Sequence, residues 1–351
     1  MTIRDSNETT LLISGPLESL SLMQSPRPRR ERMVEKPIIQ RYLIAVEYIG
    51  TRFSGVQQQL NCRTVGGVLE DAFQKFIGQP VSISCSSRTD SGVHALSNVF
   101  HVDIERVSKR RPGEVPSGMS YPPYEPAVVR KAVNHFLQKN EGDLTLLDVR
   151  CVSSNFHARF NAKERTYFYR LLSGQGIFLS SKRNVHGMFT KASKVLVGTH
   201  DFSSFRAAGC QANSPIRTLD ELNVTEVSPS PYFPTIQERE QSSTILSPNS
   251  SDAQFNSGLQ NIEAPKCQSG ENFGVRRMHR CYIVTARGRS FLYHQVRLLV
   301  GVLKCVGTGH LTVADVESII KAKDVTAASP MAPACGLYLG SVGYDLSEEA
   351  A

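Results

Sequence analysis

The stretch SSRTDSGVHA, Ser86–Ala95, sets Asp90 two residues after Arg88 within a run of Ser, Thr and Gly. A lone carboxylate in such a run has two uses. It can cap an Asx-turn beside Gly92, or it can act as a nucleophile or general base. Residue types by themselves favour the turn. The flanks add information: VSIS (Val81–Ser84) alternates apolar and polar residues, and NVFHVDI (Asn98–Ile104) is β-branched and aromatic, so both read as strands. Asp90 is therefore expected at a strand end, where a rigid scaffold presents one side chain to a cleft.

A second candidate lies far along the chain. In SFLYHQVRLLVGVLKCVG, Phe291–Val306 is apolar nearly all round, which predicts a buried helix with Arg297 inside it. A buried guanidinium without a partner is costly, so Arg297 either meets a carboxylate or snorkels out and caps carbonyls. Asp90 is a carboxylate in want of a cation, and pairing would hold it ionised and oriented. In KERTYFYRLL, strand alternation puts Tyr167 and Tyr169 on one face and Phe168 on the other. Core packing accounts for such rings. Yet Arg159, Lys163, Arg165 and Arg170 flank them, and aromatics interleaved with cations suit base stacking with phosphate contact. His200–Leu219 repeats that composition with Phe202, Phe205, Arg206 and Arg217.

The elements that must position these residues follow an α+β order. Ile38–Gly50 alternates as a strand, and Val65–Gly78 is an amphipathic helix with Val68, Leu69, Ala72, Phe73 and Phe76 on one face, stopped by Gly78. After the strand pair around Asp90 come a helix over Ala127–Gln138 and a strand over Leu144–Ser153, completing a split βαβ unit. A second half repeats the order: a strand ending near Leu172, a helix through TKASKVLVG, a strand over Ile216–Val227, and a strand over His279–Gly288. The helix carrying Arg297, a helix over Thr312–Lys323 and a closing strand over Cys335–Asp345 complete it. Residues 1–37 read as a disordered tail. Residues 228–275, rich in Ser, Pro, Asn and Gln, read as a flexible insertion that buries too little apolar surface to offset its ordering entropy. The division expected is thus 1–37 tail, 38–155 first lobe with Asp90, and 156–345 second lobe.

Composition narrows the class. The chain has 351 residues, 40% of them hydrophobic and 21% charged, as in a globular protein with a real core. No apolar run reaches the roughly 18 to 20 residues of a membrane span, so no membrane partner is expected. The opening MTIRDSNETTLL has no basic region followed by an apolar one, and PRPRRER permits a nuclear address, so the expected location is intracellular, nucleus or cytoplasm. A net charge of +8 favours a polyanionic partner. The eight cysteines form no C-x-x-C pair and the nine histidines no H-E-x-x-H, so no metal site is expected.

These blocks resemble, in order, those of the TruA-type tRNA pseudouridine synthases. RTDSGVHA is similar to the family's catalytic loop, GTRFSGVQQQ to the segment after its first strand, and FHARFNAKERTYFYRL to its Phe-His-Ala-Arg-Phe and Tyr-x-Tyr stretch. HDFSSFR, FLYHQVRLLVG and CGLYL follow, and together the six span most of residues 39–345. The resemblance implies the pseudouridine synthase fold: two ferredoxin-like α+β lobes around a mixed, mainly antiparallel sheet, with an RNA-binding cleft between them. It implies isomerisation of uridine to pseudouridine in the anticodon stem-loop of tRNA, at tRNA positions 38 to 40, with no cofactor. By carry-over Asp90 is the nucleophile or essential carboxylate, attacking either the pyrimidine ring or the ribose C1′. Arg297 is its ion-pair partner, and Tyr167 stacks on the base and aids proton removal. Arg88 contacts RNA, Leu337 walls the pocket, and Phe205 and Arg206 bind RNA. The implied partners are tRNA and, as in bacterial members, a second copy of the chain. The chain departs from bacterial relatives at Cys85, Ser86 and Ser87, where they carry glycine. Two rivals stay open. One is a non-catalytic RNA-binding protein on the same scaffold. The other is a glycosidase, which needs a second carboxylate about 5 to 5.5 Å from the first; no matched motif supplies one.

Overall fold

Strand β1 (Ile39–Tyr48) leads through a short 3₁₀ turn at Gly50–Arg52 into helix α1 (Val65–Ile77). Its ends are chemically marked: the Thr64 side chain accepts from the Gly67 amide, and Gly78 closes the helix in the left-handed conformation. Strands β2 (Ile83–Cys85) and β3 (His94–Glu105), helix α2 (Pro126–Gln138, with Pro at its first turn) and β4 (Leu144–Val152) follow. The second half runs β5 (Glu164–Ser173), α3 (Val185–Leu196), a hairpin of β6 (Gly198–Asp201) with β7 (Ile216–Leu219), β8 (Glu221–Val227) and β9 (Arg280–Gly288). Helix α4 (Gln295–Thr308), α5 (Val313–Ala322) and β10 (Leu337–Gly343) complete it. This is a computed structural model; it describes residues 38–106, 121–139, 142–173, 185–227, 280–328 and 330–347. The expected tail at 1–37 and insertion at 228–275 lie outside the described residues.

The strand order explains how distant motifs meet. Eight strands form one sheet, β4-β1-β3-β10-β5-β9-β8, with β2 also on β3. In each half the four sheet strands, taken in chain order, lie 4-1-3-2: β4-β1-β3-β2 in the first and β10-β5-β9-β8 in the second. That is the ferredoxin-like arrangement twice over, the second copy carrying the β6–β7 hairpin and α5 as additions. All pairings are antiparallel except the seam, where Tyr338 and Leu339 of β10 run parallel to His94 and Ala95 of β3. Alternation then sorts the side chains. Tyr42, Ile44 and Val46 of β1 and Tyr167, Tyr169 and Leu171 of β5 join one continuous core with the apolar faces of the helices. Leu43 and Val99 face the other way, into a small cluster with Val152, Phe156 and Ala158.

Three local expectations change. Strand β3 starts at His94 rather than Asn98, because β10 pairs with its first residues. The single strand expected over Ile216–Val227 is two, broken at Asp220: β7 pairs with β6 while β8 pairs with β9. Helix α4 starts at Gln295, so Phe291–His294 form the turn that enters it. Among the described residues no helix is long and apolar enough to cross a membrane.

Candidate active site

The loop between β2 and β3 carries Asp90, and its polar groups are fastened from several sides. The Ser86 amide donates to Val99 O (2.7 Å), and the Ser86 hydroxyl to Asn98 Oδ1 (2.9 Å). Asn98 Nδ2 donates to Ser87 O and to the Tyr48 hydroxyl, each at 3.1 Å. That hydroxyl shares a 2.7 Å bond with Thr89 Oγ1, and Thr89 O accepts from the Val56 amide at 3.1 Å. The Val93 amide closes the turn onto Asp90 O at 3.1 Å, across Gly92 with φ +81°, a value that favours glycine. Gly50 is needed beneath: a Cβ there would stand 1.8 Å from Val93 O, so the start of GTRFSGVQQQ packs its backbone directly against the loop. Ser86, Ser87 and Thr89 are buried while the Arg88 side chain is exposed. The loop is rigid scaffold with one cation turned outward.

Asp90 meets its charge partner from the other half of the chain. Arg297, on the first turn of α4, brings Nη1 to 3.8 Å from Asp90 Oδ2, and its Nε donates to Ala332 O at 2.8 Å. His294 Nε2 lies 3.2 Å from the same oxygen. The carboxylate is 27% exposed. Burial pushes the Asp90 carboxyl above its ordinary range, and His294 and Arg297 pull it back only in part. The expected pairing of Arg297 with Asp90 is present but loose, and desolvation of the carboxylate outweighs the attraction. A poorly solvated carboxylate is the more reactive one.

Tyr167 sits on β5 at the seam. It pairs with Leu339 of β10, and Leu337 pairs with Tyr169, so the four side chains share one face beside β3. Its ring stands edge-on to Phe291 with centroids 5.1 Å apart. Burial pushes its phenol up, the Ser87 hydroxyl and Arg165 pull it down, and Asp90 pushes it up again, so phenol and carboxylate sense one another. Arg165 is 8% exposed, which removes it from the phosphate-contacting set expected around this strand. Its guanidinium instead donates to Ser87 Oγ (2.9 Å), Ser86 O (2.9 Å), Arg159 O (3.0 Å) and Arg289 O. It thus ties the Asp90 loop to β5 and to two loops whose own arginines, Arg159 and Arg289, are exposed.

Of the residues singled out from sequence, the fold brings Asp90, Tyr167, Arg297 and Leu337 to this seam and leaves Arg88 exposed on the Asp90 loop. Arg206 is half-buried next to Ala207, whose amide donates to Tyr293 O at 3.0 Å beside the α4 entry turn. Phe205 is corrected. It is 0% exposed and packs edge-on against Phe202, so its ring offers no face to a base. Sequence reading passed over Asn98 and His294. The signal for Asn98 was an amide inside an apolar strand, which has to be hydrogen-bonded if buried. For His294 it was a titratable side chain three positions before Arg297 in an otherwise apolar run.

Comparison with known proteins bears on this geometry. A family profile described as tRNA pseudouridine synthase matches residues 44–160 and 192–345, spanning Asp90, Arg297 and Leu337, with Tyr167 between its two segments. The tRNA pseudouridine synthase A of Rhodospirillum rubrum is 35% identical over 312 residues, covering 87% of this chain and 87% of that protein. That of Agrobacterium fabrum is 33% identical over 312 residues, covering 87% and 92%. That of Bartonella henselae is 33% identical over 313 residues, covering 87% and 99%. With the profile spread over both halves of the sheet and these relatives matched nearly end to end, the chain belongs to the tRNA pseudouridine synthase family.

Proposed function

We propose that this enzyme isomerises uridine to pseudouridine in the anticodon stem-loop of tRNA, with Asp90 as the reacting carboxylate. The observation that carries the reading is the convergence on one Asp90 oxygen of groups from the other half of the chain, beside Tyr167 and next to exposed arginines. In the net reaction the N1–C1′ bond breaks and a C5–C1′ bond forms. The C5 proton leaves and N1 gains one, so no oxidant or reductant is required. Asp90 supplies the electron pair that holds the separated fragment and recovers it when the new bond closes. Tyr167, whose phenol lies near enough to Asp90 to feel its charge, takes part in removing the C5 proton. Arg297 keeps the carboxylate oriented. The target must leave its stack, at a cost of a few kcal/mol, and the exposed Arg88, Arg159 and Arg289 suit the phosphates of that opened strand. A second copy of the chain is carried over as a partner from bacterial members, and mass in solution tests it.

The test is a pseudouridine map. Wild type and Asp90→Ala are incubated with unmodified tRNA transcripts, and product is located by carbodiimide-dependent reverse-transcription stops. Anticodon-arm product with wild type and none with the variant is expected. Product elsewhere in the tRNA would refute the site assignment. Binding without product from either protein would favour an RNA-binding protein on this scaffold.

A further inference from the structure

We propose that His294 is a positioning residue for Asp90: its Nε2 and Arg297 Nη1 converge on the same carboxylate oxygen, Oδ2, and leave Oδ1 as the oxygen presented to substrate. The distances are 3.2 and 3.8 Å. The inference rests on Asp90 being the reacting carboxylate.

Three features of the turn bear on it. First, His294 adopts the left-handed conformation, φ 60° and ψ 8°, at the cap of α4. A non-glycine residue held there is disfavoured by about 1–2 kcal/mol and persists only where its surroundings impose it. The surroundings do: the Gln295 side chain accepts from the Leu292 amide (2.8 Å), and the Gln295 amide donates to Leu292 O (3.1 Å). A right-handed His294 would extend the helix and swing the imidazole away from Asp90. Second, Nδ1 is buried without a hydrogen-bond partner. A neutral imidazole carries one N–H. Placing it on Nδ1 would bury an unsatisfied donor; placing it on Nε2 directs it at the carboxylate. The geometry selects the Nε2 tautomer. Third, the Tyr293 ring stacks on the imidazole at 3.8 Å with planes 27° apart, which fixes the plane of the donor.

Burial favours the neutral form of this donor. Desolvation pushes the His294 pKa down, Asp90 pulls it up, and Arg297 pushes it down again, with a net fall. A neutral donor steadies one oxygen without adding a second full cation, so Asp90 remains able to take up and release its electron pair. Both donors attract the free carboxylate more strongly than the neutral adduct it forms. They therefore favour the step in which Asp90 leaves.

The test uses the full chain with His294→Leu, His294→Gln and His294→Asn, beside wild type and Asp90→Ala. Single-turnover pseudouridine formation at saturating tRNA, tRNA affinity and thermal unfolding are measured. The Gln amide nitrogen reaches as far as Nε2. The Asn amide falls short of Oδ2, although Asn tolerates the left-handed backbone best. The expected result is a rate ~10–100-fold down for Leu and Asn, the scale of a misplaced reacting group, with Gln recovering most of it and tRNA affinity unchanged. Asn matching Gln would assign His294 to the backbone turn and overturn the inference, as would wild-type rate in His294→Leu. If His294→Leu does not fold, the Gln–Asn contrast decides. Full activity in Asp90→Ala would instead overturn the underlying assignment of Asp90.

Discussion

Replacing Arg297 by Met asks how much of the Asp90 charge state depends on one cation. At 3.8 Å, and with an effective dielectric of about 20, a unit charge pair is worth about 4 kcal/mol. Asp90 is 27% exposed, so water takes up part of that, and the Asp90 pKa should rise further once Arg297 is gone. The sign follows from the chemistry. Catalysis needs the carboxylate ionised, so activity is lost as pH falls through the Asp90 pKa, which burial has already raised. Without Arg297 that loss begins at a higher pH. The assay is kcat/KM for pseudouridine formation between about pH 5 and 9, with thermal unfolding as the control for folding. The acid limb should move up in Arg297→Met. It should move little in Arg297→Lys, which keeps the charge but loses the bond to Ala332 O. An acid limb that stays in place while the whole profile drops would refute the electrostatic role and leave Arg297 as a packing residue.

Other outcomes follow from the same contacts. Arg165→Met strips a donor from Ser86 O, Ser87 Oγ, Arg159 O and Arg289 O; at about 1 kcal/mol or more for each acceptor left without one, urea unfolding should register a loss of ~3–5 kcal/mol, and a loss below ~1 kcal/mol would contradict the clamp. Phe205→Ala opens a cavity in the core and should cost about 3–5 kcal/mol of stability, with tRNA affinity unchanged wherever the variant is folded. Weaker tRNA binding with full stability would return Phe205 to the RNA surface. Arg88→Ala, at an exposed position, should leave stability within ~0.5 kcal/mol and lower the salt dependence of tRNA binding by about one unit; an unchanged slope would remove Arg88 from the phosphate contacts.

What the sequence determined alone is whatever neighbouring residues can impose on one another. Alternation in IQRYLIAVEY sets a strand, Gly78 ends a helix, and Thr312 with Asp315 forms the capping box that starts α5. The same local logic put Asp90 in a turn between strands and required Arg297 to find acceptors if buried. The tertiary structure decided what no window of residues contains. Pairing of β10 with β3 joins positions more than two hundred residues apart, and with it come the early start of β3 and the meeting of Asp90 with α4. Phe205 and Arg165 have the composition of RNA contacts and are buried, because side-chain type does not say which face of the sheet or loop the fold will cover. The left-handed turn at His294 lies inside an apolar run that reads as helix. The bonds between Leu292 and Gln295, the Ala207 amide on Tyr293 O, and the contact of the imidazole with Asp90 hold it otherwise. Periodicity is a property of covalent neighbours, whereas the charge state of Asp90 depends on what surrounds it in space, and burial there outweighs the cation that sequence could foresee.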